Sequence, residues 1–519
     1  MTSKGRWFEV SGRWRAGCAM ALALALAFFC GGTAHAAVGK DLVVGIGTDA
    51  STLDPQLCTD SATEVINKNI YNNLVRFDSS MKLLPDLATS WSLAKDEVTW
   101  TFKLRQGVTF HDGTPFNAAA VKYCFERILD PRTASARRSV LAMIKAVEPV
   151  DDYTVKITTD YPCGSFLYQL AHPVAAMVSP TAAAKWGVQK FGLNPCGTGP
   201  LKFVSWEPAE KLEFAPFDRY WEGAPKFKSL TYSIIPEDST RALLLESGQI
   251  DVAFRLPVTE VQRLNGNRSI GLITTPTIMT MYVALNNQKG PLKDPSVRMA
   301  LNLAVNKASI VHDVVDGMAT VADSVIPPGV WGYASIGAIP FNPAEARRLL
   351  AKAGYPNGFE FTLWTPVGRY LMDKQMAEAI QAQMAAVGVR MKIQTWDFQA
   401  LMAEVKKGQF DAVLLGWSAS SADADQAMFP VFHSSQWPPN SNRALYKNAM
   451  VDQLLETARK EVKPSRRAGM YKQAQKQIMA DAAWIPLCYP KQCVAYRAGI
   501  TGIEVLPTEH VLFGHTVKP

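Results

Sequence analysis

Between Asn194 and Asp251 the chain alternates in a way that translates directly into structure. Leu212 and Phe214 are interleaved with Lys211 and Glu213, a period of two that buries one face of a strand and wets the other. A glycine turn, Gly197, Gly199 and Pro200, precedes that strand, and an aromatic corner, Tyr220, Trp221 and Gly223, follows it. A second strand is predicted around Leu230, Tyr232 and Ile234. It leads into a short helix that Asp238 or Ser239 can cap and Gly248 can end. The same two periods recur elsewhere. Leu42–Ile46, Thr154–Ile157 and Ala412–Leu415 read as strands, Met376–Val387 and Met450–Lys460 as helices. The pattern is mixed α/β, without short repeats or low-complexity segments.

Several longer stretches add wording to this pattern. STLDPQ (Ser51 to Gln56), LLPDLATSWSL (Leu83 to Leu93) and WTFKLRQGVTFHDGTPFNAAAVKYCFERILDP (Trp100 to Pro131) come first. LKDPSVRMALNLAVNKASIV (Leu292 to Val311), IPPG (Ile326 to Gly329) and AEARRLLAKAGYPNGF (Ala344 to Phe359) follow, then MAEAIQAQMAAVGVRMKI (Met376 to Ile393) and DQLLETARKEVKPSRRAGMYKQAQKQI (Asp452 to Ile478). Together with the Asn194–Asp251 region, these resemble family 5 of the bacterial extracellular solute-binding proteins, the dipeptide- and oligopeptide-binding group that serves ATP-driven importers. The resemblance covers nearly the whole chain after the first 36 residues.

What the resemblance implies is a type II, two-lobed periplasmic-binding-protein clamp of the large kind, with an extra subdomain. Lobe I would take residues 37–81, 196–281 and 487–519, the inserted subdomain 82–195, and lobe III 282–486. Crossing strands near Met281 to Leu285 and Ile485 to Tyr489 would form the hinge, since closure needs φ/ψ changes at only a few positions. The partners implied are a small peptide or peptide-like ligand, enclosed between the lobes of a monomer, and an inner-membrane ABC permease.

Composition is compatible with a globular chain: 519 residues, 48% hydrophobic and 19% charged. The formal charge of +8 is partly local, because Lys4, Arg6, Arg13 and Arg15 stand against Glu9 near the start. No lysine or arginine block follows, so nucleic acid is not an expected partner. The basic start, the apolar run Ala16 to Cys30 and the Ala34-His35-Ala36 site form the pattern of a cleaved leader over residues 1–36. The run is shorter than the roughly 20 residues of a membrane span, and Cys18 and Cys30 lack a lipoprotein context. A soluble periplasmic product beginning at Ala37 is expected.

Export to an oxidising space bears on the remaining cysteines, Cys58, Cys124, Cys163, Cys196, Cys488 and Cys493. Two disulfides are expected. Cys488 with Cys493 would close a hairpin in IPLCYPKQCVAY, and Cys163 with Cys196 would join a segment to the glycine turn. Cys124 is read either as a buried thiol or as the partner of Cys58. No CxxC pair suggests zinc.

A peptide ligand presents a carboxylate, an ammonium and amides, and each can be matched. Arg369, before a predicted helix in TPVGRYLMDKQMAEAI, is the candidate for the carboxylate because a guanidinium offers a two-pronged fit. Arg255, after QIDVAF, is the reserve. Relatives in the family carry a GW-x-x-D arrangement whose aspartate takes the ligand's amino terminus. Here the run is Gly416, Trp417, Ser418, Ala419, Ser420, so a neutral Ser420 stands at that position and Asp423 is the nearby alternative. Trp417 is expected to cover an apolar or flat group. Ser51, Thr52 and Leu53 resemble lobe I residues lining the family's site.

Enzyme chemistry lacks its usual arrangements. There is no HExxH, no GxSxG, no phosphate-cradling GxxxxGK[ST] and no strand-linked GxGxxG. A catalytic role and a cofactor are therefore not expected. The alternative reading keeps the scaffold and changes the ligand to a metal chelate, haem, or an opine- or sugar-like compound, with His433 the residue to watch for metal.

Overall fold

The computed structural model describes residues 40–519, so the leader expected over residues 1–36 lies outside the described residues. The strand predicted at Leu42–Ile46 forms as read: Leu42 and Val44 are buried, and it pairs in parallel with Leu230–Ile234 on one side and Val252–Phe254 on the other. Lys211–Pro216 pairs antiparallel with Leu230–Ile234, and Leu201–Glu207 flanks it, completing the alternation first seen in the sequence. Phe214 meets Tyr232 edge to face at 5.8 Å. The following helix, Asp238–Ser247, ends on Gly248 at φ 77°, where the left-handed turn favours glycine. Its N-cap is Glu237, not Asp238 or Ser239. Asp238 is the first helical residue and pairs with Arg241 one turn on.

A second sheet repeats the arrangement. Glu360–Pro366 lies parallel to Arg390–Trp396 and to Ala412–Ser418, with helix Asp373–Ala385 between the first two in sequence. Met279–Leu285 runs antiparallel beside Ala412–Ser418. Residues 88–159 contribute a separate antiparallel sheet of Ala88–Leu93, Thr99–Leu104, Thr154–Thr159 and Ile144–Asp151.

One strand belongs to both principal sheets. Trp484–Arg497 pairs with Met279–Leu285 through Trp484, Ile485, Pro486 and Cys488, then with Ile270–Pro276 and Val252–Phe254 through residues 491–497. The segments expected to form the hinge are therefore paired inside the second sheet. Passage between sheets falls at Thr277–Ile278 and Tyr489–Lys491, where Thr277 donates both its N–H (2.9 Å) and its Oγ1 hydroxyl (2.8 Å) to the Pro490 carbonyl. Pro490 can sit in this strand because its carbonyl is used there and no donor is asked of it. At the start of the strand Trp484 stacks on Tyr282 at 3.5 Å, both buried.

This strand corrects the first expected disulfide. Cys488 and Cys493 lie five residues apart on one extended segment, about 16 Å at the usual rise per residue, far beyond disulfide reach. The second expected pair is also absent: Cys163 contacts Ser165 and Gln169, and Cys196 neighbours Asp112 and Ser179. Cys124 donates its thiol to the Val178 carbonyl and Cys58 to that of Asp60. All six are buried free thiols. No described helix is long and apolar enough to cross a membrane.

Candidate functional site

Parallel strands expose their carboxyl ends at one edge of a sheet, and ligands of open α/β sheets bind outside that edge. The candidates follow such ends in both sheets. Ser51–Leu53 come after Leu42–Ile46 and Arg255 after Val252–Phe254; Arg369 comes after Glu360–Pro366, and Trp417 and Ser420 close or follow Ala412–Ser418.

Arg369 is exposed and is held out by its loop. The carboxylate of buried Asp373 accepts the backbone N–H groups of Gly368 (3.1 Å), Arg369 (2.9 Å) and Tyr370 (3.0 Å), fixing the turn before the helix. The guanidinium then lies 5.1 Å from the Tyr370 ring centre and 4.9 Å from that of Phe398. No carboxylate pairs with it among the described residues. Tyr370 connects this arginine to the tryptophan loop, since its hydroxyl donates to the Gly416 carbonyl at 3.4 Å. A Cβ on Gly416 would fall 2.8 Å from Tyr370 Cε1 and 2.9 Å from Met279 Sδ, so the close approach requires glycine. Trp417, half-buried, donates its indole N–H to the Gln426 carbonyl at 3.2 Å. Arg369, Tyr370, Gly416 and Trp417 are thus one connected group at the strand ends.

Asp423 is differently employed. It is fully buried, caps helix Ala424–Phe432 through the Asp425 N–H (2.8 Å), and takes both prongs of Arg467. The expectation that it reaches a ligand is corrected: its charge is spent inside the protein. Neighbouring Asp425 is buried too, and burial pushes its carboxyl up to about 6. Arg459 Nε lies 3.0 Å from its Oδ1 but off the line that a hydrogen bond needs.

On the first sheet, Arg255 is exposed, donates to Ser61 Oγ (2.9 Å) and pairs with Glu509 (3.2 Å). Ser51 is exposed, with its hydroxyl 2.6 Å from Asp60 Oδ2, while Thr52 is half-buried against Gly192. Leu53 is a core residue: its side chain is fully buried, its N–H bonds the Gly192 carbonyl, and its own carbonyl accepts from Tyr71. It has nothing left to offer a solute.

For His433, the candidate for metal, both ring nitrogens are occupied. Its Nδ1 is 2.7 Å from Ser435 Oγ and its Nε2 3.1 Å from Glu456, and its ring stacks on Phe429 at 4.3 Å. No cluster of three or more metal-ligating side chains occurs among the described residues.

Sequence reasoning missed Tyr370 and Phe398, although both follow carboxyl ends of parallel strands and could have been found by that rule. It also missed a cavity of about 950 Å³, part of it open to solvent, which Ser420 shares with Lys68, Arg76, Asp86, Glu222 and Glu504. These charges are scattered through the sequence and carry no local motif.

Comparison with known proteins adds to this geometry. Residues 82–439 match the family model described as bacterial extracellular solute-binding proteins, family 5 middle. The glutathione-binding protein GsiB of Shigella flexneri is 38% identical over 496 residues, which is 94% of this chain and 96% of that protein. Two solved structures align along 92% of this chain. The periplasmic binding protein DppA of Helicobacter pylori, in complex with the peptide STSA, is 30% identical with a TM-score of 0.77 over 98% of its chain. HbpA2 of Haemophilus parasuis is 29% identical with a TM-score of 0.84 over 100% of its chain.

Proposed function

Because this chain belongs to family 5 of the bacterial extracellular solute-binding proteins and has their two-lobed α/β clamp fold, we propose that it captures a small anionic peptide of the glutathione kind. On this reading it works in the periplasm after leader removal and hands its ligand to an inner-membrane ATP-driven permease, without catalysis or cofactor. The division into residues 37–81, 196–281 and 487–519, 82–195, and 282–486 is part of the proposal. It is supported by the pairing of Leu42–Ile46 with Leu230–Ile234 and Val252–Phe254 in one sheet and of Glu360–Pro366 with Ala412–Ser418 in the other, the two joined through the strand Trp484–Arg497.

The observation that carries the ligand class is Arg369, a guanidinium on an aromatic bed of Tyr370 and Phe398 with no carboxylate paired to it among the described residues. Such a site favours negative charge. Glutathione carries two carboxylates and one ammonium, and exchanging their water shells for fixed partners on both lobes would make closure depend on the solute. Eleven of the thirteen tryptophans remain once Trp7 and Trp14 leave with the leader, so emission reports the event. Titration of the purified mature protein with glutathione and with neutral dipeptides should give a saturable change in emission, at lower concentration for glutathione. A flat response to every peptide would overturn the reading.

A further inference from the structure

The cavity beside the tryptophan loop has a charge imbalance that its own wall does not resolve. Arg76 is fully used, donating both prongs to Glu222 at 2.7 Å each, and Glu222 also accepts from the Tyr220 hydroxyl at 2.9 Å. Lys68 is tied to Asn73 Oδ1 (2.9 Å) and the Ala171 carbonyl (3.3 Å). Asp86 accepts from the Asn72 amide (3.1 Å) and the Asn73 N–H (2.9 Å). Glu504 alone among these side chains has neither hydrogen bond nor ion pair among the described residues, although it is half-buried and burial raises its pKa. A desolvated carboxylate without a partner is costly, and a cation arriving in the cavity would relieve it.

A second feature is a buried polar group left unpartnered next to the cavity. A narrow cleft with no room for a water molecule shares Lys68, Tyr71, Asn73 and Pro173 with the main cavity and is bordered by Asn67, which is 2% exposed. Both the oxygen and the nitrogen of the Asn67 amide lack a partner. Buried amides are rarely left so.

Ser420 ties the cavity to the peptide reading, and a role for the cavity in binding rests on that reading. It occupies the position at which the family's dipeptide pattern has an aspartate for the ligand's ammonium, and it lines this same cavity. We infer that the counter-charge missing at Ser420 is supplied across the cavity by Glu504, which receives the ammonium of an amine-bearing solute. A carboxylate on the wall of the first lobe would then do what the tryptophan loop does in relatives, and would select solutes that carry a free amino group.

The experiment compares glutathione with N-acetylglutathione by calorimetric titration of wild type, Glu504→Gln, Glu504→Asp and the double variant Glu504→Gln/Ser420→Asp. Glu504→Gln should weaken glutathione about tenfold or more, the scale of one charge-assisted bond, and leave the acetylated form unchanged. Glu504→Asp should keep most of the affinity, and Ser420→Asp should restore much of what Glu504→Gln loses. Equal loss for both solutes, or no loss for glutathione, overturns the assignment of Glu504 while the peptide reading stands. Wild type that binds neither glutathione nor any di- or tripeptide removes the peptide reading, and this inference with it.

Discussion

Arg467 grips Asp423 with both prongs, Nη1 to Oδ2 at 2.7 Å and Nη2 to Oδ1 at 2.5 Å, and neither residue is more than 1% exposed. The pair joins helix Pro464–Ala480 to the start of helix Ala424–Phe432, and so anchors the loop that carries Ser420 after the strand ending at Ser418. Removing one partner leaves the other charged in a dry interior. Asp423→Ala should therefore destabilise the protein by about 3–5 kcal/mol, measured by denaturant unfolding. A change under about 1 kcal/mol would mean that the pair is not buried as described.

Gly416 tests whether the arginine loop and the tryptophan loop act together. In Gly416→Ala the new methyl would meet Tyr370 Cε1 at 2.8 Å and the Met279 and Met281 sulfurs at 2.9 and 3.0 Å. Relief requires Tyr370, and with it the loop presenting Arg369, to shift. The expected outcome is a stability loss of about 1–3 kcal/mol accompanied by weaker ligand binding. Unchanged affinity in a folded variant would show that Tyr370 does not position Arg369.

The pH dependence of stability has a named contributor in His111. The ring is buried, its Nε2–H donates to the Gly199 carbonyl at 2.9 Å, and burial pushes its pKa down to about 4 from 6.5. The unfolded chain takes up this proton first, so the contribution is present above pH 6.5 and is lost as pH falls towards 4, up to about 3 kcal/mol. Asp425, raised to about 6, acts in the opposite sense, gaining as pH falls through 6. The difference in unfolding free energy between wild type and His111→Gln isolates the histidine, and it should shrink between pH 6.5 and 4. A difference independent of pH would contradict the buried neutral ring.

Thiol chemistry is equally specific. The six described cysteines have no disulfide partner among the described residues, and burial pushes Cys124 and Cys488 up to about 12. In denaturant all six should react with a thiol reagent, few should react in the native state, and reductant should leave the melting temperature unaltered. Recovery of only four reactive thiols after unfolding would reveal a bridge.

Local patterning made much of the fold legible. Leu42–Ile46 forms the strand read from its apolar run, buried at every position but Val43, and the helix read at Met450–Lys460 begins one residue earlier, at Ala449, where Asn448 caps it. Asp373–Ala385 starts three residues before the expected Met376, because Asp373 organises the preceding turn by contacts that no periodicity reveals. The hairpin expected at Cys488–Cys493 is instead one continuous strand that changes sheets, extended through Pro490, Lys491 and Gln492. At the site, Arg369 and Trp417 are each picked out by residue type and motif, and the structure links their segments through the Tyr370 hydroxyl and the Gly416 carbonyl. The fate of Asp423 was set by Arg467, 44 residues away, and the carboxylates around Ser420 converge from opposite ends of the chain. Such pairings are tertiary facts, invisible to a reading of neighbours.

Calorimetric titration of glutathione into wild type and Arg369→Ala tests the central claim most directly. The predicted result is a single saturable site in wild type and a loss of about 2–5 kcal/mol in the variant, the scale for a charge partner enclosed on closure. Equal affinity in the two proteins, or no binding by wild type, would contradict it.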